Sequence, residues 1–164
     1  MMPKSQILIV ENEMIIAADV SNQLSKLGYQ IIGINTKGED AISSIENNPP
    51  DIVLMDITLA GQMNGIQAAE YIIENFQIPL IFLTSNTDNA TFQEAVAVKP
   101  YAFIAKPFQE QDLQRAFHIT EKRIMIERVL SSKKLKKNSE INDRILIKPK
   151  AKYKSGFKIF FGTS

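Results

Sequence analysis

Two rhythms of apolar residues alternate along the first 120 positions. Short, nearly continuous apolar runs occupy residues 6–10, 30–35, 51–56, 78–84 and 101–105. Runs this short, rich in branched residues, predict strands buried on both faces. Between them apolar residues return at helical spacing: Ile16, Val20, Leu24 and Leu27, then Ala41, Ile42 and Ile45, then Ile66, Ala69, Ile73 and Phe76. Two more helices are predicted, over 88–98 and from Gln109 onward, the latter turning Leu113, Phe117 and Thr120 inward. The punctuation agrees. Gly28 suits the C′ stop of the first helix, Asn47-Asn48-Pro49-Pro50 closes the second and Lys99-Pro100 the fourth. Pro79 falls near the start of its strand, where proline is tolerated.

Five strands alternating with five helices require crossovers, and therefore a parallel sheet. Right-handed crossovers put helices on both faces. The common solution is a doubly wound α/β fold with strand order 2-1-3-4-5 and a switch point between strands 1 and 3. Open sheets of this kind bind ligands at the carboxyl ends of their strands. The run Ile52-Val53-Leu54-Met55 ends abruptly at Asp56, a carboxylate too costly to bury alone, which therefore belongs at that rim. Glu11 and Asn12 end strand 1, Thr84 ends strand 4 and Lys106 follows strand 5, so all face the same edge.

Net charge sharpens the division of the chain. Residues 1–120 hold 6 Lys/Arg and 14 Asp/Glu, a net of −8, whereas residues 121–164 hold 13 Lys/Arg and 4 Asp/Glu, a net of +9. An acidic body followed by a basic tail predicts two functional parts. A hydrophobic fraction of 45% suffices for a core and argues against disorder throughout. Without cysteine there is neither a disulfide framework nor a thiolate metal site. No apolar run approaches a membrane span and the first residues lack signal-peptide anatomy, so the expected setting is the cytoplasm.

Acids, a hydroxyl and a lysine converging on one edge fit phosphoryl transfer. Carboxylate and amide or carbonyl oxygens suit Mg²⁺, an aspartate can act as nucleophile, and a threonine and a lysine can meet phosphoryl oxygens. The motifs Ile7-Leu8-Ile9-Val10-Glu11-Asn12-Glu13, Asp51-Ile52-Val53-Leu54-Met55-Asp56-Ile57, Gly65, Pro79-Leu80-Ile81-Phe82-Leu83-Thr84-Ser85 and Ala105-Lys106-Pro107-Phe108 occur in that order. Over residues 5–125 they resemble the receiver domain of two-component response regulators, a flavodoxin-like fold. The resemblance implies that Asp56 is the phosphoacceptor, charged by a sensor histidine kinase. It places Glu11, Asn12, Asp56 and the Thr58 carbonyl at the Mg²⁺ site. It assigns Thr84 and Phe103 to a switch pair and Lys106 to a phosphate contact preceding a cis Pro107. Thr58 and Asn86 fall at positions that tune acyl-phosphate lifetime. Neither supplies a strong base, which implies a long-lived phosphoryl group. Phosphorylation is expected to favour a homodimer through the fourth helix, fifth strand and last helix.

The chain departs from the family pattern at Asn12, where a second acid is usual; an uncharged amide there implies weaker Mg²⁺ binding. The loop from Asp56 to Gly65 is one residue longer than the commonest form. Glu13 belongs to the first turn of the helix that follows, and His118 is read as structural. Residues 1–125 are thus expected to form the receiver and 126–164 a basic linker or tail, with Ser131–Ser139 as linker. In that tail Asn142-Asp143-Arg144-Ile145-Leu146-Ile147-Lys148 resembles the opening strand of a LytTR-type DNA-binding domain. The remaining length is too short for a complete one, so DNA contact is expected only if the output domain is complete. Two other functions compete. An Asp-nucleophile phosphohydrolase would want a second acid where Thr58 stands, and a flavin binder would not place Glu11-Asn12-Glu13 in its phosphate loop. The expected protein is a signal relay, not an enzyme.

Overall fold

The structure is a computed structural model that describes residues 4–85 and 87–144. In chain order its elements are β1 (Gln6–Val10), α1 (Met14–Lys26), β2 (Gln30–Asn35), α2 (Gly38–Asn47), β3 (Ile52–Asp56), α3 (Gly65–Phe76), β4 (Leu80–Thr84), α4 (Asn89–Ala97), β5 (Ala102–Ala105) and α5 (Glu110–Arg144). The five strands form one parallel sheet in the order β2-β1-β3-β4-β5, as expected.

Alternation along the strands sorts the core into two layers. Leu8, Val10, Val53, Met55, Leu80 and Phe82 face Ala41 and Ile45 of α2, Ala69 and Ile72 of α3, and Ala95 of α4. Ile7, Ile9, Ile52, Leu54, Ile81, Leu83 and Ile104 face Val20 and Leu24 of α1, and Leu113, Ala116 and Phe117 of α5. A strand covered on both sides has no polar face. That explains why β3 and β4 are buried at every residue.

Helix ends follow local chemistry. At the end of α1, Gly28 adopts φ +95°, and the N–H groups of Gly28 and Tyr29 donate to the carbonyls of Ser25 and Leu24. This is a Schellman closure with Gly28 at C′. Glu13 is the N-cap of α1 and not a first-turn residue. Asn64 and Gln67 form a reciprocal capping box at the start of α3. Asp51 lies just before β3. Its carboxylate accepts the Gln6 N–H at 2.7 Å, clasping the starts of β1 and β3 together.

Two differences from expectation concern helices. In α3 it is Ile72, one residue from the expected Ile73, that is fully buried, with Ile73 packed at its margin. The stretch 131–139, expected as linker, is helical within α5, as are Asn142, Asp143 and Arg144 of the expected strand. The rest of that strand, and of the tail, lies outside the described residues.

The chain divides into two compact units, Met1–Ile124 and Met125–Ser164. Described residues of the second belong to α5 and leave Met125, Ile126, Val129, Leu130, Leu135 and Ile141 exposed. Among the described residues no helix is long and apolar enough to cross a membrane.

Candidate functional site

Strand register assembles the site. Val10 pairs with Met55, so Glu11 follows beside Asp56. Asp56 pairs with Leu83 and Thr84 with Ala105. The Lys106 N–H donates to the Thr84 carbonyl at 2.7 Å, carrying the lysine to the same edge. The Lys106–Pro107 peptide is cis. Glu11, Asn12, Asp56, Thr84 and Lys106 are thus together, far apart as they are in sequence.

Glu11 is fully buried and Asp56 is 2% exposed. Buried charges need partners, and these have them. Lys106 Nζ donates to Glu11 Oε1 at 2.5 Å and to Asp56 Oδ2 at 3.1 Å. The Thr58 N–H donates to Asp56 Oδ1 at 2.9 Å. The Asn12 amide takes its orientation from its surroundings. Only with nitrogen inward does it donate to Glu11 Oε2 at 3.1 Å, Asp56 Oδ2 at 3.2 Å and the Thr58 carbonyl at 3.1 Å.

Burial, and then the hydrogen bond shared with Asp56, raise the Glu11 carboxyl to about 7, against the pull of Lys106. Burial alone would lower the Lys106 ammonium. Its bonds to Glu11 and Asp56 outweigh burial and raise it.

The glycine of this region has a steric role. A Cβ on Gly65 would lie 1.9 Å from the Asp56 carbonyl oxygen and 2.8 Å from that of Ile57. Only glycine lets the first turn of α3 sit against the backbone that carries Asp56. Glu39 of α2 pins the intervening loop by accepting the Met63 N–H at 2.8 Å. Glu39 escaped sequence reading because nothing in its local pattern marks a partner 24 residues away. The capping box was missed as well, although Asn64 and Gln67 three residues apart are a helix-start signal.

The Thr84 hydroxyl donates to the Ser85 carbonyl at 2.9 Å. Thr84 and Lys106 line an open cleft of about 520 Å³ with Ser85, Thr87, Asn89, Phe92 and Ala105. Phe103 lies between Phe82 and Phe92, at 5.8 Å and 5.2 Å between ring centroids. Thr58 brings its backbone N–H and carbonyl to the site. Asn86 is outside the described residues, and His118 is exposed on α5.

Glu11 Oε2, Asp56 Oδ2 and the Thr58 carbonyl converge on one point, the position of the Asn12 amide nitrogen. Two carboxylates and a carbonyl are the donor types of a hard divalent cation, so these residues fit Mg²⁺. With two acids instead of three the site is lightly charged. Among the described residues no group of three or more acid, histidine or cysteine side chains is placed to hold a metal.

A doubly wound parallel sheet with an acidic crevice and a lysine at its carboxyl edge defines an α/β domain built to meet a phosphoryl group. Comparison specifies which. The chain belongs to the response regulator receiver domain family, whose model matches residues 7–118. It is 34% identical over 106 residues to the phyllosphere-induced regulator PhyR of Methylorubrum extorquens, covering 64% of this chain and 39% of that protein. It is 30% identical over 118 residues to the transcriptional regulatory protein PdtaR of Mycobacterium tuberculosis, covering 72% and 57%. The signal receiver domain of a modulated diguanylate cyclase from Desulfovibrio desulfuricans G20 superposes with a TM-score of 0.72 at 35% identity, covering 76% of this chain and 98% of that one. The chain therefore carries a phosphorylation-switched receiver of two-component signalling. It spans well under two thirds of the length of either regulator. Domains of this family are signal relays that bind Mg²⁺ at the phosphorylation site and interact with histidine kinases and output domains.

Proposed function

We propose that Asp56 is the phosphoacceptor and that its aspartyl phosphate is the signal this chain relays, in transcription regulation. The observation that carries this is the buried Asp56 carboxylate, clamped by Lys106 at 3.1 Å beside Glu11, at the carboxyl edge of the sheet. In the transfer, an Asp56 carboxylate oxygen attacks the phosphorus of a kinase phosphohistidine. The P–N bond breaks, its electron pair returns to the imidazole, and an acyl phosphate forms. Glu11, Asp56, the Thr58 carbonyl and Asn12 would hold Mg²⁺, which when bound screens the acids and polarises phosphoryl oxygens. Lys106 stays protonated, as its raised pKa favours, and meets one phosphoryl oxygen. The Thr84 hydroxyl leaves the Ser85 carbonyl to meet another.

That movement vacates space beside Phe103, whose ring turns between Phe82 and Phe92. The face of α4, β5 and α5 is thereby remodelled, a shift of population within one fold. Phe92, Val96 and Ile119 are exposed on those elements, which supports a phosphorylation-favoured homodimer there. Residues 1–125 act as the receiver in the cytoplasm, and the tail that follows leads to DNA only as part of a complete output domain.

The test is labelling by acetyl phosphate in Mg²⁺. One phosphoryl group per chain is expected, lost entirely in Asp56→Asn. The label should persist for minutes or longer, since neither Thr58 nor Asn86 is a strong base. The labelled protein should sediment as a dimer. Labelling retained in Asp56→Asn, or catalytic turnover of a generic phosphomonoester, would remove this reading.

A further inference from the structure

The oxygens of the acidic pair are all accounted for within the protein. Glu11 Oε1 accepts from Lys106, and Glu11 Oε2 from Asn12 and, at 3.4 Å, from the Glu13 N–H. Asp56 Oδ1 accepts from the Thr58 N–H, and Asp56 Oδ2 from both Lys106 and Asn12. The Thr58 carbonyl is met by Asn12 as well. Asn12 therefore does what a cation would do at that point: it gives three converging oxygens a shared positive partner.

We propose that the Asn12 amide is a built-in occupant of the cation position. Turned nitrogen-inward it closes the acidic cluster, and it must turn away before a divalent cation can enter. This rests on reading the Asp56 cluster as the receiver's phosphorylation site, and concerns how that site is loaded.

The geometry makes the two occupants exclusive. The amide nitrogen lies 3.1, 3.2 and 3.1 Å from Glu11 Oε2, Asp56 Oδ2 and the Thr58 carbonyl. Mg²⁺ sits roughly 2.0–2.1 Å from its oxygens, so it would stand among the same three atoms. The amide also has two orientations with opposite chemistry. Nitrogen-inward, two N–H groups serve the three oxygens. Oxygen-inward, with no cation present, the amide oxygen would face three acceptors and be repelled. With a cation there, the same oxygen becomes a ligand. A half-turn about the last side-chain bond, with the side chain drawn back by roughly the 2 Å of a Mg²⁺–oxygen contact, thus converts a plug into a donor.

An aspartate at position 12 has no such choice. It adds charge for the cation but offers the metal-free cluster no donor, leaving three carboxylates in contact with one lysine. Asn12 gives up cation affinity in exchange for a crevice that holds together without a cation. Loading then becomes sensitive to Mg²⁺ concentration.

The experiment uses the full chain, ¹⁵N-labelled, with Mg²⁺ itself as the probe. The Asn12 side-chain amide pair is identified by its loss in Asn12→Asp and in Asn12→Ala. In chelator the pair should resonate away from the exposed amides and exchange slowly. Added Mg²⁺ should move it along a saturable curve. Thermal unfolding supplies the second readout. In chelator both variants should melt below the native protein, Asn12→Asp the lower. Mg²⁺ should restore Asn12→Asp and bind it roughly tenfold or more tightly than the native chain, the scale on which site partners alter metal affinity. Should Asn12→Asp not fold in chelator, Asn12→Ala still reads the loss of the donor without the added charge.

Equal melting of the native chain and Asn12→Ala in chelator would overturn the proposal. So would an amide pair that stays fixed while Mg²⁺ supports labelling of Asp56, and in that case the phosphorylation-site reading stands. If instead the amide turns with Mg²⁺ but Asp56 never takes label from acetyl phosphate, the inference holds and the phosphoacceptor reading fails.

Discussion

A carboxyl with no access to water must share its charge or hold its proton, and Glu11 does some of both. Its value of about 7 against an ordinary 4.5 means that the folded protein holds a proton that the unfolded chain releases between those values. Folding therefore takes up protons in that window, and stability falls as pH rises from about 4.5 to about 7, then levels off. Urea midpoints in chelator should show this decline, and Glu11→Gln should flatten it. Lys106, raised by the same partners, stabilises below its ordinary value of 10.5 and loses that contribution as pH climbs through its folded value. At Gly65 the constraint is steric. The added methyl of Gly65→Ala, 1.9 Å from the Asp56 carbonyl, forces α3 or the Asp56 backbone to move. The expected cost is about 3 kcal/mol or more, seen as a lower urea midpoint with an unchanged slope, together with weaker acetyl phosphate labelling. The identities of Asp56, Lys106, Asn12 and Gly65 were all legible in the chain, since motif and spacing mark them. What was not legible is direction. Nothing in one dimension says that the Asn12 amide points its nitrogen at three oxygens, or that Gly65 touches the backbone of Asp56.

At the scale of elements, strands read best where burial is complete. The runs of β3 and β4 have no polar face, so their type was evident and only their starts moved: Asp51 and Pro79 lie just outside. Helix faces read less well where two apolar residues are adjacent. Ile66, Ala69 and Ile73 satisfy helical spacing, but so do Ile66, Ala69 and Ile72, and only packing against the sheet chooses between them. Because Ile72 is fully buried with Ala68 and Ala69, Ile72→Ala should cost about 2–5 kcal/mol. Ile73→Ala, at the margin, should cost distinctly less. The paired urea titrations would separate them, and equal losses would mean that α3 is rotated from the orientation described. The helical residues 131–139 had a signal that charge obscured. From Pro107 to Pro149 there is no intervening glycine or proline, and lysine, leucine and glutamate favour helix. A run of lysines invites reading as linker, whereas the absence of breakers says helix.

For the molecule as a whole, the question is where the receiver ends. The family match stops at residue 118, but the first compact unit continues to Ile124, and the reason lies in three side chains beyond the match. Thr120 is fully buried and donates to the Ala116 carbonyl at 2.7 Å. Glu121 accepts from the Tyr29 hydroxyl and from Ser5 Oγ, tying α5 to the entrances of β2 and β1. Ile124 packs against the layer that contains Tyr29 and Phe117. Burial, and then the Glu121 carboxylate, push the Tyr29 phenol up, so the hydroxyl of this buried residue stays a donor and would lose this acceptor if Glu121 were removed. A fragment of residues 1–125 should therefore unfold in one transition with the midpoint of the full chain and take label on Asp56 as well. A fragment ending at residue 118 should lose about 2 kcal/mol or more, the cost of orphaning a buried donor, together with the packing of Ile124. It should label less fully at temperatures where the longer fragment is intact. If the two fragments match in urea midpoint, α5 contributes nothing to the domain past Phe117 and the receiver is shorter than we place it. If the fragment of residues 1–125 instead falls well below the full chain, the domain draws stability from residues beyond 125.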